Sequence, residues 1–112
     1  MTTPYTPKEI DVFSDVQAAS VRTGLPLVIA VFRHLMNYYP EAVSKAQLLK
    51  DIREDTGLGR AGFPIKDDQV IARTIGNLKE KQFLEDNKGM IRLTGAGQEA
   101  VEILRLKKTK VE

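Results

Sequence analysis

The stretch FLEDNKGMIRLTGAG, residues 83–97, decides the fold of this 112-residue chain. Two short apolar segments flank Asn87-Lys88-Gly89, which predicts a β-hairpin with a three-residue turn, because glycine tolerates the left-handed backbone that such a turn needs. In the second strand Ile91 and Leu93 alternate with Arg92, as expected for a strand with one buried face. The sequence therefore predicts a short hairpin with Arg92 on its outer face.

Helices are predicted on both sides of this hairpin. Before it, apolar residues recur at helical spacing from Asp67 to about Gln82. After it, Thr94 has the side chain to cap a helix that runs over residues 95–108. The apolar stripe of that helix consists of Ala96, Ala100, Val101, Ile103 and Leu104. The last part of the chain is thus predicted to be helix, hairpin and helix.

Three further helices are predicted in the first half of the chain. Thr6-Pro7-Lys8-Glu9 is a capping-box sequence with proline at the first helical position, which predicts a helix over residues 6–22. Pro26 opens a mostly apolar helix that Pro40 closes, and Ser44-Lys45-Ala46-Gln47 is a second capping box that opens the next helix. The apolar helix is expected to be the central buried one. The first helix is expected to dock either on its own domain or on a second copy of the chain.

Composition narrows the class of protein. The chain has 42% hydrophobic residues, which is enough for one compact domain over residues 1–112. It has no cysteine, so disulfides and thiolate metal sites are excluded. The longest apolar run, residues 25–32, falls short of the ~20 residues that a membrane helix needs, so we expect a soluble cytoplasmic protein. The formal net charge of +2 leaves the choice between nucleic acid and other partners open.

The segment Leu93-Thr94-Gly95-Ala96-Gly97-Gln98-Glu99-Ala100 resembles the LTxxGxxA ending of the wing in winged-helix regulators, including the MarR-like and PadR-like groups. The resemblance implies a mostly α fold with a small β-hairpin. It places a winged-helix core over residues 26–94, with an additional N-terminal helix over 6–22 and a C-terminal helix over 95–108. It also implies a transcriptional regulator that binds duplex DNA and forms a homodimer through its terminal helices. Winged helices also serve as protein-interaction modules in larger complexes, which is the alternative function.

In a DNA-binding winged helix the third core helix enters the major groove, and the wing approaches the DNA backbone. With about 100° between successive residues, the outward face of that helix carries Lys66, Gln69, Ala72, Arg73, Gly76, Asn77 and Glu80. Arginine can pair with guanine O6 and N7, and glutamine or asparagine with adenine N6 and N7. The predicted base-reading residues are Gln69, Arg73 and Asn77. The predicted phosphate-binding residues are Lys45, Lys66, Lys88 and Arg92.

The connection over residues 57–66 departs from the family pattern, because it is longer than the turn of about 3–4 residues in a compact helix-turn-helix. It contains Gly57-Leu58-Gly59-Arg60-Ala61-Gly62, which matches the G-x-G-x-x-G dinucleotide fingerprint. That fingerprint must follow a strand and open a helix, whereas here it follows a helix and meets Phe63-Pro64, so a nucleotide-binding or ligand-sensing domain is the weakest of the three functions. His34 has no nucleophile or metal-ligand motif beside it and is predicted to be structural. No enzyme, metal or cofactor is expected.

Overall fold

The computed structural model describes residues 6–20, 24–55 and 67–106 of the chain, and these residues form a mostly helical fold with a small sheet. The helices are α1 (Pro7–Ala19), α2 (Leu25–Met36), α3 (Lys45–Arg53), α4 (Asp68–Glu80) and α5 (Gly95–Leu104). The strands are β1 (Val43–Ser44), β2 (Leu84–Asn87) and β3 (Met90–Leu93). The prediction of a mostly α fold with a small hairpin is confirmed.

Capping side chains begin the helices near the residues that the sequence indicated. The Glu9 N–H donates to Thr6 Oγ1 at 3.2 Å, and the Thr6 N–H donates to Glu9 Oε1 at 3.0 Å, so the predicted capping box is complete. The bond from the Thr6 backbone is the main reason why the pKa of Glu9 is lowered. Ser44 and Thr94 cap α3 and α5, each by accepting a hydrogen bond from the backbone N–H three residues later.

The helices end earlier than the sequence indicated. α1 ends at Ala19 rather than at residue 22, and α2 ends at Met36 rather than at residue 39. α4 ends at Glu80 because Gln82 adopts a left-handed backbone with φ of 65°. The N–H groups of Gln82 and Phe83 then donate back to carbonyls in the last turn of α4. This is the Schellman arrangement, which satisfies helix-end carbonyls and starts the hairpin.

α2 is the central helix, as its apolar sequence predicted. It packs against the other four helices and against β3. Its fully buried side chains are Leu27, Val28, Val31, Phe32 and Leu35. The ring of Phe32 meets the ring of Phe83 edge-on, with 5.7 Å between centroids, which joins α2 to the start of the hairpin.

α1 docks on its own chain, which is one of the two arrangements that the sequence left open. Val16 and Ala19 are buried, and α1 packs against α2, α4 and α5. An ion pair at 2.5 Å between Lys8 Nζ and Glu99 Oε1 lies between α1 and α5. The N-terminal helix is therefore a structural part of the domain surface beside α4.

The three strands form an antiparallel sheet in the order β1-β3-β2. β1 was not predicted, because two residues are too few to show alternation in a sequence. It is identified by its partners: Val43 pairs with Ile91, and Ser44 pairs with Met90. β3 is therefore the middle strand, and Ile91 is buried between both neighbours.

The hairpin turn has two residues rather than the three that the sequence predicted. Asn87 pairs with Met90, so Lys88 and Gly89 alone form the turn, with φ values of 55° and 86°. Positive φ at both positions is typical of a type I′ turn, whose twist matches that of the flanking strands. The shorter turn shifts the pairing of β2 with β3 by one residue from the prediction.

α5 packs through a different set of small residues than predicted. Ala96, which was placed on the apolar stripe, is exposed, whereas Gly97 is buried together with Ala100 and Val101. A Cβ atom on Gly97 would overlap the carbonyl oxygen of Phe83. This close approach of α5 to the hairpin backbone fixes the rotation of the helix and turns Ala96 outward.

Two polar contacts fix α3 against α2. His34 Nε2 lies 2.7 Å from Asp55 Oδ2, and both side chains are largely buried, in agreement with the predicted structural role of His34. Tyr38 donates its hydroxyl hydrogen to Asp51 Oδ2 at 2.5 Å. That hydrogen bond is the main cause of the raised pKa of Tyr38, to which burial and the charge of Asp51 add.

Candidate nucleic-acid interface

α4, the helix predicted to enter the major groove, is held by one buried side. The buried residues of that side are Ile71, Thr74, Ile75 and Leu78. Its amino end is capped by Asp67, whose Oδ1 accepts a hydrogen bond from the Gln69 N–H at 2.8 Å. Arg53 Nη1 donates to Asp68 Oδ2 at 3.2 Å and connects α3 to the first turn of α4. These contacts leave the opposite side of α4 facing outward.

The outward side of α4 begins with two polar residues one turn apart. Gln69 and Arg73 are both exposed, as predicted. Neither side chain makes a hydrogen bond or an ion pair with another residue in the part of the chain that the structure describes. Gly76 and Glu80 continue the exposed face toward the carboxyl end, and Ala72 is partly buried beside it. The first two turns therefore offer donors and acceptors to an external partner, and the last turn offers a carboxylate.

Asn77 is turned away from this pair, unlike the predicted arrangement. It is partly buried, and its Nδ2 donates to the carbonyl oxygen of Ala19 at 3.2 Å. Ala19 is the last residue of α1, where helix carbonyls lack partners within the helix. Asn77 thus donates a hydrogen bond to the carboxyl end of α1, and α1 packs against α4.

Gly76 has no packing reason within the described residues. It lies in the middle of α4, it is exposed, and a Cβ built on it would meet no atom within 4 Å. Glycine in a helix interior costs about 1 kcal/mol relative to alanine. No contact among the described residues requires glycine at this position. Close approach by an external partner would account for it.

Lys45 and Lys88 are brought together at the tip of the hairpin. Lys45 is the first residue of α3, and its N–H donates to the carbonyl oxygen of Gly89 at 2.8 Å. Lys88 immediately precedes Gly89 in the turn, and both lysines are exposed. α4 packs against α3, which begins at Lys45, and against β2, which leads into the turn at Lys88. The two cations and the outward side of α4 thus belong to one connected group of elements.

Arg92 is exposed on the outer face of β3, as predicted, but it has a partner. It lies directly opposite Glu85 of β2, and its Nε and Nη2 atoms both contact Glu85 Oε1. Sequence reasoning missed this contact because the three-residue turn placed a different residue opposite Arg92. A two-residue turn at Lys88-Gly89 would have given the pairing from sequence alone.

The cations of the described residues fall into two groups. Those in ion pairs with carboxylates are Lys8, Arg53, Lys81 and Arg92. Lys45, Arg73 and Lys88 make no such pair within residues 6–20, 24–55 and 67–106, and the same is true of Arg33, Lys50, Lys79 and Arg105. Three of the predicted DNA-binding residues thus keep their charge available to an external anion.

Some predictions lie outside the described residues, namely Lys66 and the glycine-rich connection over residues 57–66. Where the structure does describe the chain, it contains no group of three or more metal-ligating side chains. Nor does any helix there have the length and apolarity to cross a membrane. Comparison of the sequence with protein-family models and with curated proteins gives no match.

Proposed function

We propose that the chain is a winged-helix protein that binds duplex DNA and regulates transcription. In this assignment α2, α3 and α4 are the three core helices, and β2 and β3 form the wing. α1 and α5 are the additional terminal helices. The order of elements and the LTxxGxxA segment at the start of α5 support the winged-helix fold in this proposal.

The observation that carries the proposal is the exposed first half of α4. Gln69 and Arg73 stand one turn apart without partners among the described residues, and their side chains match the major-groove edges of adenine and guanine. Recognition helices place their amino-terminal residues against base edges. Glu80 lies at the opposite end of the exposed face. The first half of α4 is therefore the proposed reading surface.

Lys45 and Lys88 are the proposed phosphate contacts. The bond from the Lys45 N–H to the Gly89 carbonyl holds both lysines at the hairpin tip, and phosphate contacts fix the register of a protein on DNA without reading sequence. Lys66 remains a proposed phosphate contact on sequence grounds. Asn77 is a weaker candidate for base reading than the sequence suggested, because its amide nitrogen is bonded to Ala19.

Fluorescence anisotropy with duplex DNA tests this proposal. Binding should weaken by at least tenfold between about 50 and 200 mM salt, since several phosphate contacts release counterions. We expect Arg73→Ala to lower affinity about tenfold, and Lys88→Ala to lower it less while reducing the salt slope by about 1. Lys79→Ala is the matched control, because Lys79 is an exposed cation on another flank of the same helix.

Two results would contradict the DNA proposal. One is an equal loss of affinity in the Lys79→Ala control and the Arg73→Ala variant, which would indicate nonspecific charge attraction. The other is the absence of binding even at low salt. The second result would favour the protein-interaction alternative.

That alternative, a protein-interaction module, is favoured by Gly76. An exposed glycine without internal packing beside the partly buried Ala72 suits close approach by another protein surface. If it is correct, Gly76→Arg should abolish capture of the protein partner in a binding assay, with little dependence on salt. Gly76→Ala, which should be at least as stable as the native protein, separates this steric effect from misfolding. Unchanged capture by the arginine variant would rule out this contact.

A homodimer through the terminal helices is also proposed. Two observations support it. Ile10 on α1 is an apolar side chain that is 49% exposed, and α1 packs against α5. A dimer would place two reading helices on one DNA molecule with a two-fold relation between half-sites.

A further inference from the structure

The hairpin carries two cations that differ in their surroundings. Lys88 stands at the turn without an ion pair among the described residues, whereas Arg92 contacts Glu85 through two nitrogen atoms. Glu85 and Arg92 are register partners in adjacent strands, so the sheet itself holds them opposite each other. Their side chains are 44% and 48% exposed, so the pair is open to solvent and to a competing anion.

We propose that Glu85 withholds the Arg92 guanidinium from DNA phosphate, so that the hairpin contributes one cation to binding, Lys88, instead of two. The inference rests on the proposed DNA-binding function. Glu85 is thus assigned as a residue that limits affinity and defines where the DNA-binding surface ends. Arg92 is a latent phosphate contact whose availability depends on Glu85.

The physical basis is competition between two anions for one guanidinium. Arginine presents a planar fork of donors that binds carboxylate or phosphate in the same way. With Glu85 bound, the pair has no net charge, and its field at a phosphate is that of a dipole rather than that of a cation. A phosphate that approaches Arg92 also meets the Glu85 carboxylate, whose like charge repels it. Lys88 forms no ion pair with the described residues, and the nearby Asp86 carboxylate accepts a hydrogen bond from the Gly89 N–H at 2.8 Å.

The ion pair of Glu85 and Arg92 lies on the exposed outer face of the sheet, away from the core. Glu85 and Arg92 line an open cleft of about 370 Å³ together with Tyr39 and Pro40. Ile91 and Leu93, the neighbours of Arg92 in β3, carry the burial of that strand. Changes of charge at positions 85 and 92 should therefore alter the surface and leave the core intact.

A double-mutant cycle in DNA binding tests the proposal, with Glu85→Gln, Arg92→Gln and the double variant. In the native background Arg92→Gln removes no phosphate contact and only leaves the Glu85 carboxylate unpaired, so we expect it to weaken binding by no more than about twofold. In the Glu85→Gln background the same change should weaken binding about five- to tenfold. Glu85→Gln alone should tighten binding and steepen the salt slope by about 0.9, the value for one added phosphate contact. The double variant should lose that added slope.

Glu80→Gln is the matched control, because it removes one exposed carboxylate near the proposed surface without touching Arg92. If it tightens binding as much as Glu85→Gln does, and the cycle is additive, general charge explains the effect and the inference is overturned. An equal cost of Arg92→Gln in both backgrounds would overturn it as well, since Arg92 would then act independently of Glu85.

A second readout separates this inference from the proposed function. The Arg92 Nε–H should give an NMR signal that exchanges slowly with water in the native protein and rapidly in Glu85→Gln. If that signal behaves as expected but no variant binds DNA, the pair exists while the DNA function and its withholding role both fail. If DNA binds and the signal exchanges rapidly in both proteins, the DNA function stands and the inference fails.

Discussion

Replacing Gly97 with alanine should destabilise the protein by about 3 kcal/mol or more, because the added Cβ has no space. It would overlap the Phe83 carbonyl oxygen and lie 3.0 Å from the carbonyl carbon and 3.1 Å from Leu93 Cδ2. The obstructing atoms are mostly backbone and cannot rotate away. The same carbonyl accepts a hydrogen bond from the Thr94 N–H at 3.0 Å, so moving it would disturb the junction between the hairpin and α5. Urea denaturation followed by circular dichroism measures the loss.

Gly95→Ala is the matched control for this prediction. Gly95 is the first residue of the same helix, and a Cβ there would meet nothing within 4 Å. Alanine has the higher helix propensity, so this variant should be as stable as the native protein or slightly more stable. If both variants unfold at the same urea concentration, the close packing of α5 on the Phe83 backbone is wrong.

Replacing His34 with alanine should cost about 2–3 kcal/mol of stability, because it removes the 2.7 Å contact with Asp55. The two side chains are only 9% and 14% exposed, so water replaces the lost partner poorly. The same substitution also removes a buried ring from α2. The expected structural result is a looser attachment of the end of α3 to α2, visible as faster amide hydrogen exchange over α3.

A double-mutant cycle with Asp55→Ala isolates the pair from the packing change. The coupling between the two positions should be at least about 1 kcal/mol, since the residues are in direct contact. Arg33→Ala is the control on the same helix, because Arg33 is exposed and should change stability by less than about 0.5 kcal/mol. Additive losses in the cycle would show that His34 acts only through its volume.

The segment that suggested the family is explained by packing rather than by binding. In the stretch from Leu93 to Ala100, the leucine and Ala100 are buried, Thr94 caps α5, and Gly97 permits contact with Phe83. All four roles join the hairpin to the following helix. This segment therefore supports a prediction of fold and carries no information about what the fold binds.

The proposed site was predictable only where one helix decides the geometry. Gln69 and Arg73 are exposed as predicted, because the positions buried at helical spacing in α4 leave one outward side. Helical spacing also places Asn77 close to that side. Its hydrogen bond to Ala19, however, depends on where α1 docks. Arg92 was placed on the correct face, but its partner depends on the register of two strands.

The sequence by itself determined the five helices and the hairpin. Caps such as Thr6, Ser44 and Thr94, the apolar period of each helix and the glycine at the turn act within a few residues, so their effects can be inferred locally. Tertiary structure decided the pairing of β1 with β3, the contact of Glu85 with Arg92, the bond from Asn77 to Ala19 and the approach of α5 to Phe83. Each of these joins elements whose relative position is set by burial of the whole core around α2. No local pattern contains that information, because the free energy that selects it comes from packing between segments distant in sequence.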